Sequence, residues 1–162
     1  MNIEIICIGS LKEEYLREAE REYIKRIQPY SKAIVTELRE IRLPKGAGEA
    51  EEENVRCLEG ETLLNAAKSK GNDTYVFALD IRGKQHSSDK FAETIQKLTL
   101  SGKSNHIFMI GGSLGLSDAV RNRADALLSF SEMTFPHQLM RVILLEQLYR
   151  AQKILRGEPY HK

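Results

Sequence analysis

The side chains best suited to chemistry cluster in the last third of the chain. Ser129, Phe130, Ser131, Glu132, Met133, Thr134 and Phe135 make a polar and aromatic loop. Pro136 suits the first turn of the helix that follows, where a missing N–H costs nothing. His137 and Arg141 stand one turn apart in that helix, so they share a face. Either can meet an anion or the edge of a nucleobase, and a solvated helix face is the plainer alternative. The final residues, Tyr160, His161 and Lys162, are of the kind that stack on and hydrogen-bond an unstacked base. A short frayed tail is the simpler reading of them.

Two further loops carry unusual residues. The segment from Leu79 and Asp80 to Lys84 reads as a strand ending in a turn. The run Gly111, Gly112, Ser113, Leu114, Gly115 follows an apolar strand. It has neither the dinucleotide-binding spacing nor the Gly-Lys-Ser/Thr of a phosphate-binding loop. Its glycines allow positive φ and close approach of backbone to a ligand, or simply a tight strand-to-helix turn. No lysine or acidic pair accompanies it, which argues against phosphoryl transfer.

The elements that would position these loops alternate. Strands are expected over residues 2–8, 32–42, 74–80, 106–110 and 126–130. Helices are expected over about 11–28, 50–69, 89–101, 117–123 and 136–156. Ser10 with Glu13 has the pattern of a capping box, while Ser87 and Ser117 stand where helix caps belong. The acidic run Glu49 to Glu53 reads as the solvated start of a helix. Gly157 and Pro159 stop the last helix. Strand–helix alternation with continuous apolar strands points to an α/β fold with a mainly parallel sheet flanked by helices. Ligands in such sheets sit beyond the carboxyl ends of the strands, where all three unusual loops lie.

The 162 residues fit one domain, 1–162. No apolar run reaches the ~20 residues of a membrane span. The chain opens directly into a strand and holds two scattered cysteines, Cys7 and Cys57, as expected in a reducing cytoplasm. The four histidines are single and far apart, so no metal site is expected. Net charge is +1, but residues 1–80 hold 12 Lys/Arg against 16 Asp/Glu, and residues 81–162 hold 12 against 7. Any basic surface for nucleic acid would therefore belong to the second half. The last helix is apolar on more than one side, through Leu139, Met140, Val142, Ile143, Leu144, Leu145 and Leu148. That pattern fits core on one face and a partner subunit on another, or burial within a single chain.

Taken together, Leu79 to Lys84, Ile110 to Leu116, Leu128 to Ser131, Pro136 to Val142, Glu146 to Ala151 and Pro159 to Lys162 closely resemble the ribosomal RNA large-subunit methyltransferase H family. The resemblance spans essentially the whole chain and is most specific in its last sixty residues. It implies a SPOUT-type α/β fold with a C-terminal trefoil knot, acting as a cytoplasmic homodimer. It implies that S-adenosyl-L-methionine, without a metal, methylates N3 of a pseudouridine in 23S rRNA within the assembled ribosome. Carried over by motif, the methyl donor would contact Leu79, Gly111, Phe130, Ser131, Glu132, Met133, Thr134 and Phe135. Because N3–H must be lost, His161 or His137 is expected to assist deprotonation, while Arg141, Tyr160 and Lys162 hold the RNA. Two competing readings are a SPOUT enzyme for another RNA such as tRNA, and a non-catalytic ribosome-binding factor.

Overall fold

A computed structural model describes residues 1–68 and 71–159 of the chain. Among these residues five strands, β1 (Asn2–Ile8), β2 (Lys32–Leu38), β3 (Thr74–Gln85), β4 (Asn105–Ile110) and β5 (Ala126–Ser129), alternate with five helices. The helices are α1 (Glu14–Ile27), α2 (Glu49–Ala67), α3 (Ser88–Leu100), α4 (Asp118–Arg123) and α5 (His137–Leu155). The strand order is β2-β1-β4-β3-β5, and every pairing is parallel. The α/β expectation holds.

Alternation along the strands divides the core in two. Ile3, Ile5 and Cys7 point to one face, where Phe77, Phe108, Ile110 and Leu128 join them. Ile27 of α1, Phe91 and Ile95 of α3, and Leu144, Leu145 and Leu148 of α5 cover that face. Ile6, Ile8, Val76, Ala78, Ile107 and Met109 point to the other face, under Leu63 of α2 and Val120 of α4. A strand buried on both faces needs no polar alternation, which is why β4 reads as a continuous apolar run.

Three local expectations are corrected. The capping box at Ser10 is not formed: α1 starts at Glu14, with Glu13 as an N-cap that makes no side-chain bond. The preceding residues are tied elsewhere. The Leu11 N–H donates to Glu37 Oε1, the Lys12 N–H to Gln138 Oε1, and Arg17 Nη1 donates to the carbonyls of Leu11 and Lys12. Second, β2 ends at Leu38 rather than near residue 42.

Third, the turn expected at Asp80 to Lys84 is a bulge within β3. Leu79 and Lys84 both pair with Leu128, so residues 80–83 arch out of the sheet and pairing resumes beyond them. Gly83 makes this possible: a Cβ there would lie 2.6 Å from the Leu128 carbonyl carbon. Ser87 and Ser117 do cap their helices, accepting from the Lys90 and Val120 N–H groups. Gly157, with φ of 63°, follows the end of α5.

Candidate active site

The bulge of β3 and the carboxyl ends of β4 and β5 open into one cavity of about 690 Å³. Leu79 to Arg82 come from β3 and its bulge, and Ile110 to Leu116 follow β4. Leu128 to Ser131, Met133 to His137 and Met140 come from β5, the following loop and the start of α5. Arg121 of α4 completes the wall. The volume suits a small-molecule ligand, and mostly apolar walls with a few placed polar groups are usual for such sites.

Local hydrogen bonds shape two of the walls. After β5, the Ser129 hydroxyl donates to the Ser131 carbonyl, and Ser131 Oγ accepts the Met133 N–H at 3.0 Å. This turn sets the direction in which the chain leaves the sheet. After β4, the Gly115 N–H donates to the Gly112 carbonyl at 3.0 Å and folds the loop back on itself. A Cβ on Gly111 would sit 2.7 Å from the Gly115 oxygen, so the fold-back requires glycine there.

Charge in the cavity is concentrated on one side. Asp80 Oδ2 lies 2.6 Å from Arg121 Nε, and Asp80 Oδ1 accepts the Arg82 N–H at 2.9 Å. Burial works against charge on Asp80, but Arg121 and the Arg82 N–H outweigh it and hold the carboxyl below its usual range. Arg121 also pairs with Asp118 at 2.7 Å. His137, also in the lining, is half-buried beside Gly9 and Glu40. Its burial lowers the imidazole pKa; Glu40 opposes that shift, and Arg141 and Lys12 add to it.

Leu79, Gly111, Phe130, Ser131, Met133, Thr134, Phe135 and His137 all line the cavity. Glu132 belongs to the same loop but is exposed and not part of the lining. Tyr160, His161 and Lys162 lie outside the described residues.

Arg141 departs from expectation. It is 1% exposed, its Nη1 pairs with Glu37 at 2.5 Å and Glu20 at 3.2 Å, and its Nη2 donates to the Gly9 carbonyl at 2.8 Å. Burial resists its charge, but Cys7, Glu37 and Glu20 outweigh that and raise its pKa. An arginine enclosed in this way binds the start of α5 to β1, β2 and α1, and has no surface to offer to RNA. Sequence reading missed Arg121, whose only local signal was a place in the last turn of a short helix. Among the described residues, no group of three or more His, Cys, Asp or Glu could hold a metal ion. No described helix is long and apolar enough to cross a membrane.

Residues 1–161 match the family described as Predicted SPOUT methyltransferase. A protein of Clostridium novyi (strain NT) is 55% identical over 162 residues, covering 100% of both chains. One of Bacillus pumilus (strain SAFR-032) is 51% identical over the same span. Both relatives are named Ribosomal RNA large subunit methyltransferase H. The solved structure of a probable methylase family protein from Haemophilus influenzae Rd KW20 superposes with a TM-score of 0.53 at 13% identity. That match covers 99% of this chain and 70% of the other, and shows a shared fold.

Proposed function

The chain belongs to the SPOUT methyltransferase family, and on that premise we propose that it methylates N3 of a pseudouridine in 23S rRNA, using S-adenosylmethionine. In this reading it acts as a homodimer on the assembled ribosome, and carries the C-terminal knot that the family resemblance implies. The observation that carries the reading is the cavity between the β3 bulge and the ends of the parallel strands β4 and β5, lined by apolar side chains and folded-back loops.

The residues present fit the donor. Leu79, Ile110 and Leu116 offer flat apolar surface for an adenine, with the exposed Met133 at the rim. Backbone groups of the Gly111 loop and of residues 130–135 are assigned to its polar edge. When bound, the donor supplies a methyl group on a sulfonium, which an attacking nitrogen displaces in line. No metal is needed for that step.

The chain's part is to orient the partners and take up a proton. Holding two reactants in attack geometry supplies much of the rate of such a transfer. Loss of N3–H calls for an acceptor near neutral pH. Burial lowers the His137 pKa and so favours the neutral, proton-accepting imidazole, and His137 lines the cavity; His161 is the other candidate. Tyr160 and Lys162 are assigned to the RNA. The partly buried second side of α5, with Leu139 37% exposed, is assigned to the partner subunit.

The test is transfer of a labelled methyl group to ribosomes lacking the modification, with tRNA as the competing acceptor. Labelling of a single 23S pseudouridine is expected. Labelling of tRNA instead, or none at saturating donor, would overturn the assignment.

A further inference from the structure

Helix α2 holds a buried carboxylate that the proposed chemistry does not use. Glu59 is 3% exposed, and its Oε1 accepts the Ile41 N–H at 2.9 Å. Its other oxygen lies under the glycine loop: a Cβ on Gly112 would fall 2.8 Å from Glu59 Oε2. One turn earlier, Arg56 Nε donates to the Leu114 carbonyl in the same loop at 3.0 Å, while its Nη1 pairs with Glu53. One residue later, Gly60 meets the residue that closes the loop, since a Cβ there would lie 2.2 Å from Ser117 Oγ. Residues 56, 59 and 60 thus meet the loop at Leu114, Gly112 and Ser117.

The energetics of Glu59 are unusual for simple packing. A buried carboxyl with one backbone donor is costly, and an apolar side chain of similar volume would fill the space more cheaply. Burial raises its pKa, and the Ile41 N–H opposes this only in part. What the carboxyl does that an apolar group cannot is hold the Ile41 amide on one side while lying against Gly112 on the other. It ties the connection after β2 to the loop after β4.

We propose that Glu59 and Arg56 are positioning residues that hold the Gly111 to Leu116 loop in its folded-back, ligand-admitting shape. This rests on the reading of the cavity as the methyl-donor site. The two residues touch the outer side of the loop and do not line the cavity. Their effect falls on the fraction of molecules with a competent loop, and apparent affinity scales with that fraction.

The experiment compares Glu59→Leu, which keeps a side chain of similar size but removes the acceptor of the Ile41 N–H, and Arg56→Ala with the conservative Glu59→Gln and Arg56→Lys. Calorimetry with S-adenosylhomocysteine, methyl-transfer kinetics, and amide hydrogen exchange of residues 112–116 are measured on each. Glu59→Leu and Arg56→Ala are expected to weaken binding and raise the donor KM about tenfold, the scale of one buried hydrogen bond. We expect kcat to stay within about twofold, as for loss of uniform binding. Loop exchange rises in these two while exchange in β1 and β4 does not, and Glu59→Gln and Arg56→Lys recover most of the affinity. Unchanged loop exchange in both variants overturns the proposal, as does loss of thermal stability with affinity and KM intact. If the wild-type protein binds no S-adenosylhomocysteine yet loop exchange still rises, the donor assignment fails and the positioning role stands.

Discussion

Replacing Arg141 with methionine separates the two roles open to that residue. Its guanidinium is enclosed, with Glu37, Glu20 and the Gly9 carbonyl as partners. Methionine keeps most of the volume but removes all three bonds. Stranding the partner of a buried charge pair costs about 3–5 kcal/mol. The figure is discounted here because the Glu37 side chain is 42% exposed and Glu20 17%, so both carboxylates regain water. The Gly9 carbonyl is buried and does not, which adds about 1–3 kcal/mol. A net loss of about 3 kcal/mol is expected, or roughly 6–12 °C in Tm for a chain of this size. Urea unfolding with a fixed m-value measures it, and ribosome affinity of the folded variant is measured in parallel at low temperature. A stability loss under about 1 kcal/mol, together with a large loss of ribosome affinity, would refute the structural assignment and restore Arg141 as an RNA contact.

Three further outcomes follow from the same geometry. Gly83→Ala drives a methyl group into the Leu127 and Leu128 backbone; about 2 kcal/mol of stability should be lost, and affinity for S-adenosylhomocysteine with it, as differential scanning fluorimetry with and without ligand will read. Burial pulls His106 from 6.5 down to about 4, so the unfolded chain takes up this proton first and stability falls as pH drops from 6.5 to 4. Roughly 3 kcal/mol at most is involved, and His106→Leu should flatten unfolding free energy across that window. If His137 is the proton acceptor, His137→Ala lowers kcat about a hundredfold, and the wild-type rate falls with acid along a limb below pH 6.5; an unchanged rate in the variant passes the role to His161.

Much of this was legible in the sequence because the signals were local. Continuous apolar runs marked β3 and β4, and Ser87 and Ser117 stood where their helices begin. The three loops could be placed at one end of the sheet because parallel strands put their carboxyl ends on the same side. What was missed depends on contacts distant in sequence. Arg141 looked like a surface cation because its acidic partners, Glu20 and Glu37, lie more than a hundred residues away. Ser10 and Glu13 had the letters of a capping box, but Glu37 and Gln138 claim the neighbouring N–H groups. The bulge in β3 was read as a turn because Gly83 signals a break equally well as a close approach to β5. Glu59 was hidden among acids on a helix whose other glutamates are exposed or half-buried, and only the packing of α2 against the glycine loop sets it apart.

The central claim is that the cavity between the β3 bulge and the ends of β4 and β5 binds the methyl donor. Calorimetry of the purified protein with S-adenosylhomocysteine, and with ATP as control, tests it most directly. Saturable binding of S-adenosylhomocysteine alone, abolished by Gly111→Val, is the predicted result. No heat of binding from a folded protein, with RNA absent or present, would contradict the account.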